Sequence, residues 1–283
     1  MPKKGVVRVA TCQFPVSGDV RRNARWAREQ LTEAARRRAD IVHFPECALS
    51  GYPGTDLPSL DDLDWDLLRD ETESIRQLAR DKRVWVVLGT SHRLTGDHKP
   101  HNSLYVIDRR GRIRDRFDKR MCTGGDLKHF SPGDHFVMFS VNGVKCGLLI
   151  CYEVRFPELY RACRDLGVKI ILQSFHNAHG EKRGIWWTIM RPNMQCRAAT
   201  NNLFISGNNS SRYYQQWPSV FITPDGMIRD SARMHRSGVL VNTVDLNKEY
   251  YHTTPADHDR TVAGVFNTGE PVDDPRSRDR TSL

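Results

Sequence analysis

Short apolar runs with a period of two alternate with longer stretches whose apolar residues recur every three or four positions. Val6–Phe14 is rich in β-branched residues and predicts a strand. Asp19 is placed as an N-cap for a helix whose apolar face is Val20, Ala24, Ala27, Leu31 and Ala34. Ile41–Phe44 predicts a second strand, and Leu63, Leu67, Leu68, Ile75, Leu78 and Ala79 mark a second helix. A third strand follows at Val84–Gly89.

Asn102–Asp108 and Ile113–Phe117 flank Arg109-Arg110-Gly111-Arg112 as a hairpin, and the runs on either side of Asn142-Gly143 form another. A helix is expected over Phe156–Leu166, stopped by Gly167, and a strand over Lys169–Phe175. The stretch Gly184–Thr200 reads as helical, with Pro192 expected to kink it or start a new segment. The segment from Leu203 to Asp245 reads as short strands, with Asp225-Gly226 as a turn. Strands and helices alternate without a linker, which argues an α/β domain over residues 1–246. Residues 247–283 are polar and rich in Pro and Arg. They read as an extended C-terminal extension, either disordered or packed on a partner subunit.

Of the 283 residues 39% are hydrophobic, which suffices for a sizeable core. No window approaches the ~20 consecutive apolar residues of a membrane span. The start, Met-Pro-Lys-Lys, has no apolar signal core, so a cytoplasmic protein is expected. The formal charge of +9 is compatible with a nucleic-acid partner, but the arginines are scattered, often beside Asp or Glu. Seven cysteines without a CxxC pair argue against disulfides and structural zinc.

Three places stand out chemically. Glu46 ends an apolar strand, where an unpaired buried carboxylate is costly. Lys119 ends another strand, and Cys151 a third, just before a turn and helix. A thiol needs a base or a positive field to act as a nucleophile. A desolvated carboxyl can take and return a proton, and a fixed ammonium can stabilise an oxyanion beside the backbone N–H of Tyr152. Taken singly, each residue also fits a bland role: an inert buried thiol, an ion-paired carboxylate, a solvated cation.

Together, HFPECALSGYP (43–53), FDKRMC (117–122), FSPGD (130–134) and GLLICYEVRFPELYR (147–161) resemble the nitrilase, or carbon–nitrogen hydrolase, superfamily. The resemblance implies a four-layer αββα sandwich, paired subunits and a Glu46–Lys119–Cys151 triad of base, oxyanion stabiliser and nucleophile. It implies a thioester intermediate and no metal or organic cofactor. Asp126 stands where many members carry a second Glu, shortening the side chain by one methylene. The late-helix element reads Arg197-Ala198-Ala199-Thr200-Asn201, without the usual acidic residue.

Within the family, the CYEVRFPELYR stretch is closest to ω-amidase-like and carbamoyl-amide hydrolases. A small linear amide or N-carbamoyl compound is therefore the expected substrate, with a nitrile as the alternative. Neither a membrane domain nor a synthetase domain accompanies the motifs, which argues against the acyltransferase and NAD-forming branches. Arg155 is a candidate for a substrate carboxylate, or else an ion-pair anchor for the next helix. Tyr52, Asp126, His176 and Asn177 complete the candidate substrate-binding set, while Trp186 and Trp187 either wall the pocket or pack in the core. A papain-like reading would use His176 or His179 as the base. The histidines within 92–101 and 252–258 lack metal-ligand spacing. A homodimer or higher oligomer is expected, without nucleic-acid or membrane partners. The reading from a different class is a basic scaffold or nucleic-acid-binding protein with a relic pocket.

Overall fold

The computed structural model describes residues 3–178, 180, 184–251 and 255–282. Chain order begins β1 (Val6–Gln13), α1 (Val20–Arg36), β2 (Ile41–His43), α2 (Trp65–Lys82), β3 (Trp85–His92), β4 (His101–Ile107) and β5 (Ile113–Asp118). It continues with β6 (Met138–Val141), β7 (Val144–Ile150), α3 (Pro157–Asp165), β8 (Ile170–Phe175) and α4 (Ile185–Asn201). β9 (Phe204–Asn209), β10 (Val220–Ile222), β11 (Ile228–Ser231) and β12 (Gly238–Asp245) follow. Last come the short helices α5 (Pro255–Val262) and α6 (Pro275–Arg278).

Two six-stranded sheets result, ordered β12-β1-β2-β3-β4-β5 and β11-β10-β9-β8-β7-β6. Each has three parallel strands at its centre, β1-β2-β3 and β7-β8-β9. Period-two alternation sorts the side chains. Val7, Val9, Ile41 and Val87 join the cluster that includes the second sheet, whereas Ala10, Cys12, Val42, Phe44, Val86 and Leu88 pack with α1 and α2. Tyr160 and Cys163 of α3 and Met190, Met194 and Ala198 of α4 join the second sheet's cluster. The layers are therefore helix, sheet, sheet, helix, as the family resemblance implies.

Asp19 caps α1, its side chain accepting from Arg22 N at 3.0 Å. Pro192 starts no new segment: α4 runs as one helix from Ile185 to Asn201 with Pro192 inside it. Pro192 and Thr188, the residue four positions earlier, are both exposed, so water can satisfy the carbonyl that loses its donor. Residues Met1–Tyr250 and Tyr251–Leu283 form separate compact units. In the second, α5 and α6 are helices that the sequence pattern, lacking an apolar stripe there, does not announce.

Gly89 on β3 marks where backbone approaches backbone. A Cβ there would lie 2.0 Å from Pro45 O and 3.0 Å from Cys47 N, inside the turn that leaves β2. Neither atom belongs to a flexible side chain, so the turn would have to move. We expect Gly89→Ala to lower stability by about 1–3 kcal/mol, the usual range for overpacking. Thermal unfolding checks this, and an unchanged Tm would show the contact to be slack.

Candidate active site

The C-terminal ends of β2, β5, β7 and β8 meet in one place, the position where ligand crevices form in open α/β sheets. Glu46 leaves the turn after β2 and is fully buried. Its Oε1 accepts from Lys119 Nζ at 2.9 Å and from Asn102 Nδ2 at 2.8 Å. Its Oε2 accepts from the backbone N–H of His176 at 2.8 Å, while Glu46 N donates to Phe175 O at 3.3 Å. The carboxylate is thus tied to both sheets.

Lys119, one residue beyond β5, is 1% exposed, and its Nζ also lies 3.0 Å from Asp126 Oδ2. Burial opposes its charge, but the carboxylates of Glu46 and Asp126 outweigh it and hold its pKa well above the ordinary value. Asp126 opens a short 3-10 turn and also accepts from Thr123 N at 2.7 Å, Thr123 Oγ1 at 2.9 Å and the Tyr52 hydroxyl. Burial raises the Asp126 pKa, yet Lys119 and these hydrogen bonds win, and it falls below the usual carboxylate range.

Cys151 begins the 3-10 turn that follows β7 and sits at φ +45°, a left-handed conformation uncommon outside glycine. Such strain clusters at functional turns, where the surrounding structure enforces it. Burial first, then the charge of Glu46, pushes the thiol's pKa well above the ordinary value, with Lys119 pulling the other way. Tyr152 follows in the same turn, its ring edge-on to Phe156.

The other candidates divide. Tyr52 joins the cluster through Asp126, and its ring stacks on His176 at 5.2 Å. The His176 imidazole faces Asp56, with Nε2 2.8 Å from Oδ2 but off the line of a hydrogen bond, and its Nδ1 has no hydrogen-bond partner. The charged groups that bear on the thiol are Glu46, Lys119 and Asp126, and this imidazole is not among them. His179, the other histidine of the papain-like reading, lies outside the described residues, as does His252. Asn177 is buried, but its backbone bonds run to Asn209 and Gln216. Arg155 is exposed and lies 5.4 Å over the ring of Trp186, and no ion pair from it to α3 occurs among the described residues. Among those residues no group of three or more His, Cys, Asp or Glu is arranged to hold a metal.

Sequence reading missed three residues. Asn102 binds the Glu46 carboxylate. Asp56 pairs with Arg212 at 2.7 Å and accepts from Tyr52 N at 2.9 Å. Glu153 accepts from Ile150 N at 2.6 Å, Arg120 N at 2.9 Å and Met121 N at 3.2 Å, joining the Cys151 turn to the segment after Lys119. Only Glu153 left a cue, an acid two residues past the cysteine in an otherwise apolar motif.

A buried carboxylate, a buried ammonium and a half-buried thiol come together at strand ends of the two sheets of an αββα scaffold. The family description carbon–nitrogen hydrolase matches residues 8–250, and the chain belongs to that family. It is 26% identical over 256 residues to the omega-amidase of Mus musculus, covering 85% of this chain and 89% of that protein. It is 30% identical over 200 residues to a hydrolase in the agr operon of Staphylococcus lugdunensis, covering 67% of this chain and 80% of that protein. The amidase from Nesterenkonia sp. AN1, solved in complex with butyramide, shares the fold at a TM-score of 0.75 and 22% identity, covering 91% of this chain and 95% of that chain. The protein is a carbon–nitrogen hydrolase. No helix among its described residues is long and apolar enough to cross a membrane.

Glu153 yields a pH test. Burial lifts its carboxyl from 4.5 to about 7, against the pull of the three N–H groups. The folded state then holds the proton more tightly than the unfolded one, so this stability is present below pH 4.5 and is lost as pH rises through about 7. Glu153→Gln removes the titration and turns an amide donor toward backbone donors, costing about 1–3 kcal/mol. Denaturant unfolding from pH 4.5 to 8 should show wild type leading the variant most at the acid end. The lead should shrink by up to about 1.4 kcal/mol per pH unit. A constant difference would rule the assignment out.

Proposed function

We propose that the site hydrolyses a small linear amide or N-carbamoyl compound, with Cys151 as nucleophile, Glu46 as proton carrier and Lys119 as oxyanion stabiliser. The observation that carries this is the Glu46 carboxylate, hydrogen-bonded to the Lys119 ammonium and bearing on the Cys151 thiol through its charge. The thiol proton passes to Glu46 as sulfur bonds to the carbonyl carbon, and the carbonyl oxygen becomes an oxyanion. Lys119 and the backbone N–H of Tyr152 stabilise it. Collapse restores the C=O bond and breaks C–N, the leaving nitrogen taking the proton from Glu46. Water then attacks the thioester, giving one proton to Glu46, and the C–S bond breaks. That proton returns to sulfur, leaving a carboxylic or carbamic acid.

The names of relatives support an amide rather than a nitrile. Tyr52 and His176 form one side of the proposed pocket, with Asp126 orienting Lys119 and Asn177 set deeper. The exposed Arg155, held over Trp186, is the proposed contact for a substrate carboxylate. Self-association is part of the reading, supported by Ile185 on α4, which is apolar and exposed. So is a cytoplasmic setting, supported by seven unpaired cysteines.

A panel of linear amides, N-carbamoyl compounds and nitriles tests the reading, with ammonia release and intact-mass detection of acyl-Cys151. Cys151→Ala should abolish turnover and the adduct. Glu46→Gln and Lys119→Ala should each lose about 100–1000-fold or more. Full turnover in Cys151→Ala overturns the mechanism, and carboxylate formed from nitriles alone would move the substrate to the alternative.

A further inference from the structure

Between the two sheets, beneath the candidate site, lies a chain of buried polar side chains. Thr11 of β1, His43 of β2, Ser174 of β8 and Ser206 of β9 are all fully buried. Thr11 Oγ1 and Ser206 Oγ are 2.7 Å apart, Ser206 Oγ and His43 Nδ1 2.9 Å, and His43 Nε2 and Ser174 Oγ 2.9 Å. Ser174 Oγ also lies 2.9 Å from the carbonyl oxygen of Phe44.

One end of the chain settles the direction of every bond. A carbonyl only accepts, so Ser174 donates its single hydrogen to Phe44 O. Ser174 must then accept from His43, which places the imidazole proton on Nε2. Nδ1 is left bare and accepts from Ser206, and Ser206 in turn accepts from Thr11. Each hydrogen is used once. Burial pushes His43 down to about 3, so the ring is neutral in ordinary buffers.

The location gives the chain its purpose. His43 is three residues before Glu46, and Ser174 is two before His176, whose N–H holds Glu46 Oε2. Phe44 and Phe175 carbonyls accept from Ser174 and from Glu46 N, so the two strand ends are laced where the carboxylate departs. Asn208 of β9 reinforces this, donating to Cys12 O at 3.1 Å and His43 O at 2.5 Å. Apolar side chains would fill the same layer without the requirement that every polar atom be matched.

We propose that His43, locked as the Nε2–H tautomer between Ser206 and Ser174, is a positioning residue that sets the Glu46 carboxylate against Cys151 and Lys119. This rests on Glu46 being the proton carrier of the proposed reaction. Nitrogen NMR of the histidine-labelled protein at neutral pH should show His43 protonated at Nε2 and bare at Nδ1, and the opposite tautomer overturns the proposal. His43→Leu should lower kcat by about 10–100-fold, the scale of a small misplacement of a reacting group. KM should stay within about twofold on that scale. His43→Gln, which keeps one donor and one acceptor, should recover part of the loss. Wild-type kcat in folded His43→Leu, despite a lower Tm, would make the chain merely structural and overturn the claim.

Should His43→Leu fail to fold, Ser206→Ala decides in its place: a kcat loss at constant KM supports the proposal, and unchanged kcat overturns it. Alkylation of Cys151 by iodoacetamide as a function of pH needs no substrate. A pH profile displaced in Ser206→Ala supports the positioning of Glu46, and an unmoved profile overturns it. If the profile is displaced while wild type hydrolyses no amide or carbamoyl compound, the substrate reading fails and the positioning role stands.

Discussion

The ammonium of Lys119, buried between two carboxylates, is the interaction on which the site depends. Taking an isolated charge from water into a protein interior costs several kcal/mol, about the size of a domain's whole stability margin. Contacts of 2.9 Å to Glu46 and 3.0 Å to Asp126 offset that cost. Deleting one member would leave an uncompensated buried charge, typically about 3–5 kcal/mol. The same arrangement decides the state of the sulfur. One cation between two carboxylates leaves a net negative charge in the hollow, and a resting thiolate would add another. In the proposed reaction the thiol therefore starts out protonated and gives its proton to Glu46 as the carbon–sulfur bond forms. A cysteine paired with a cationic imidazole works the other way, because its partner stabilises the thiolate before substrate arrives.

Holding that triplet in register falls to the backbone around it. The acids, the ammonium and the thiol arrive on loops from different strands, and each loop is stitched to another. Glu153 joins the Cys151 turn to Arg120 and Met121. Gly133 N donates to Lys119 O at 2.8 Å, and Lys119 N donates to Asn102 O at 2.8 Å. Glu46 exchanges bonds with the end of β8. Strain at Cys151 is sustained because the turn is fastened on both sides, to Glu153 through Ile150 N and to Gln173 through the Cys151 carbonyl.

Much of this was legible in the chain. Short apolar runs placed the strands, which are buried on both faces at the sheet centres, and three- and four-residue spacing placed the two long N-terminal helices, which bury one face each. Glu46, Lys119 and Cys151 were legible as strand-end residues of the wrong chemistry, and the family motifs joined them. Asn102, Asp56 and Glu153 were not read from the pattern. The first two act across 56 and 120 or more residues of chain, on Glu46 and His176, and no local periodicity encodes such a meeting. Pro192 begins no new segment because the rule against proline within a helix presumes a carbonyl that nothing else can satisfy, whereas Thr188, which bears this one, is exposed.

Asp126 shows how a shorter side chain keeps its place in the charge balance. Losing a methylene relative to Glu would draw the carboxylate back from Lys119, yet the two meet at 3.0 Å. The local backbone makes up the reach. Thr123 N and Oγ1 both bind Oδ2, and Thr123 Oγ1 accepts from Asp126 N at 3.0 Å, folding the segment before the 3-10 turn onto its own carboxylate. With the Tyr52 hydroxyl on Oδ1, the carboxylate receives four hydrogen bonds, about the number its lone pairs can accept. A group so engaged, with its pKa below the usual range, is a poor proton acceptor in turnover. Glu46, bound by Lys119, Asn102 and the His176 amide, is the carboxylate whose charge bears most on the thiol. Two acids flank one ammonium, and the difference in what else they hold separates a fixed counter-ion from the one to which the proposed reaction gives the proton.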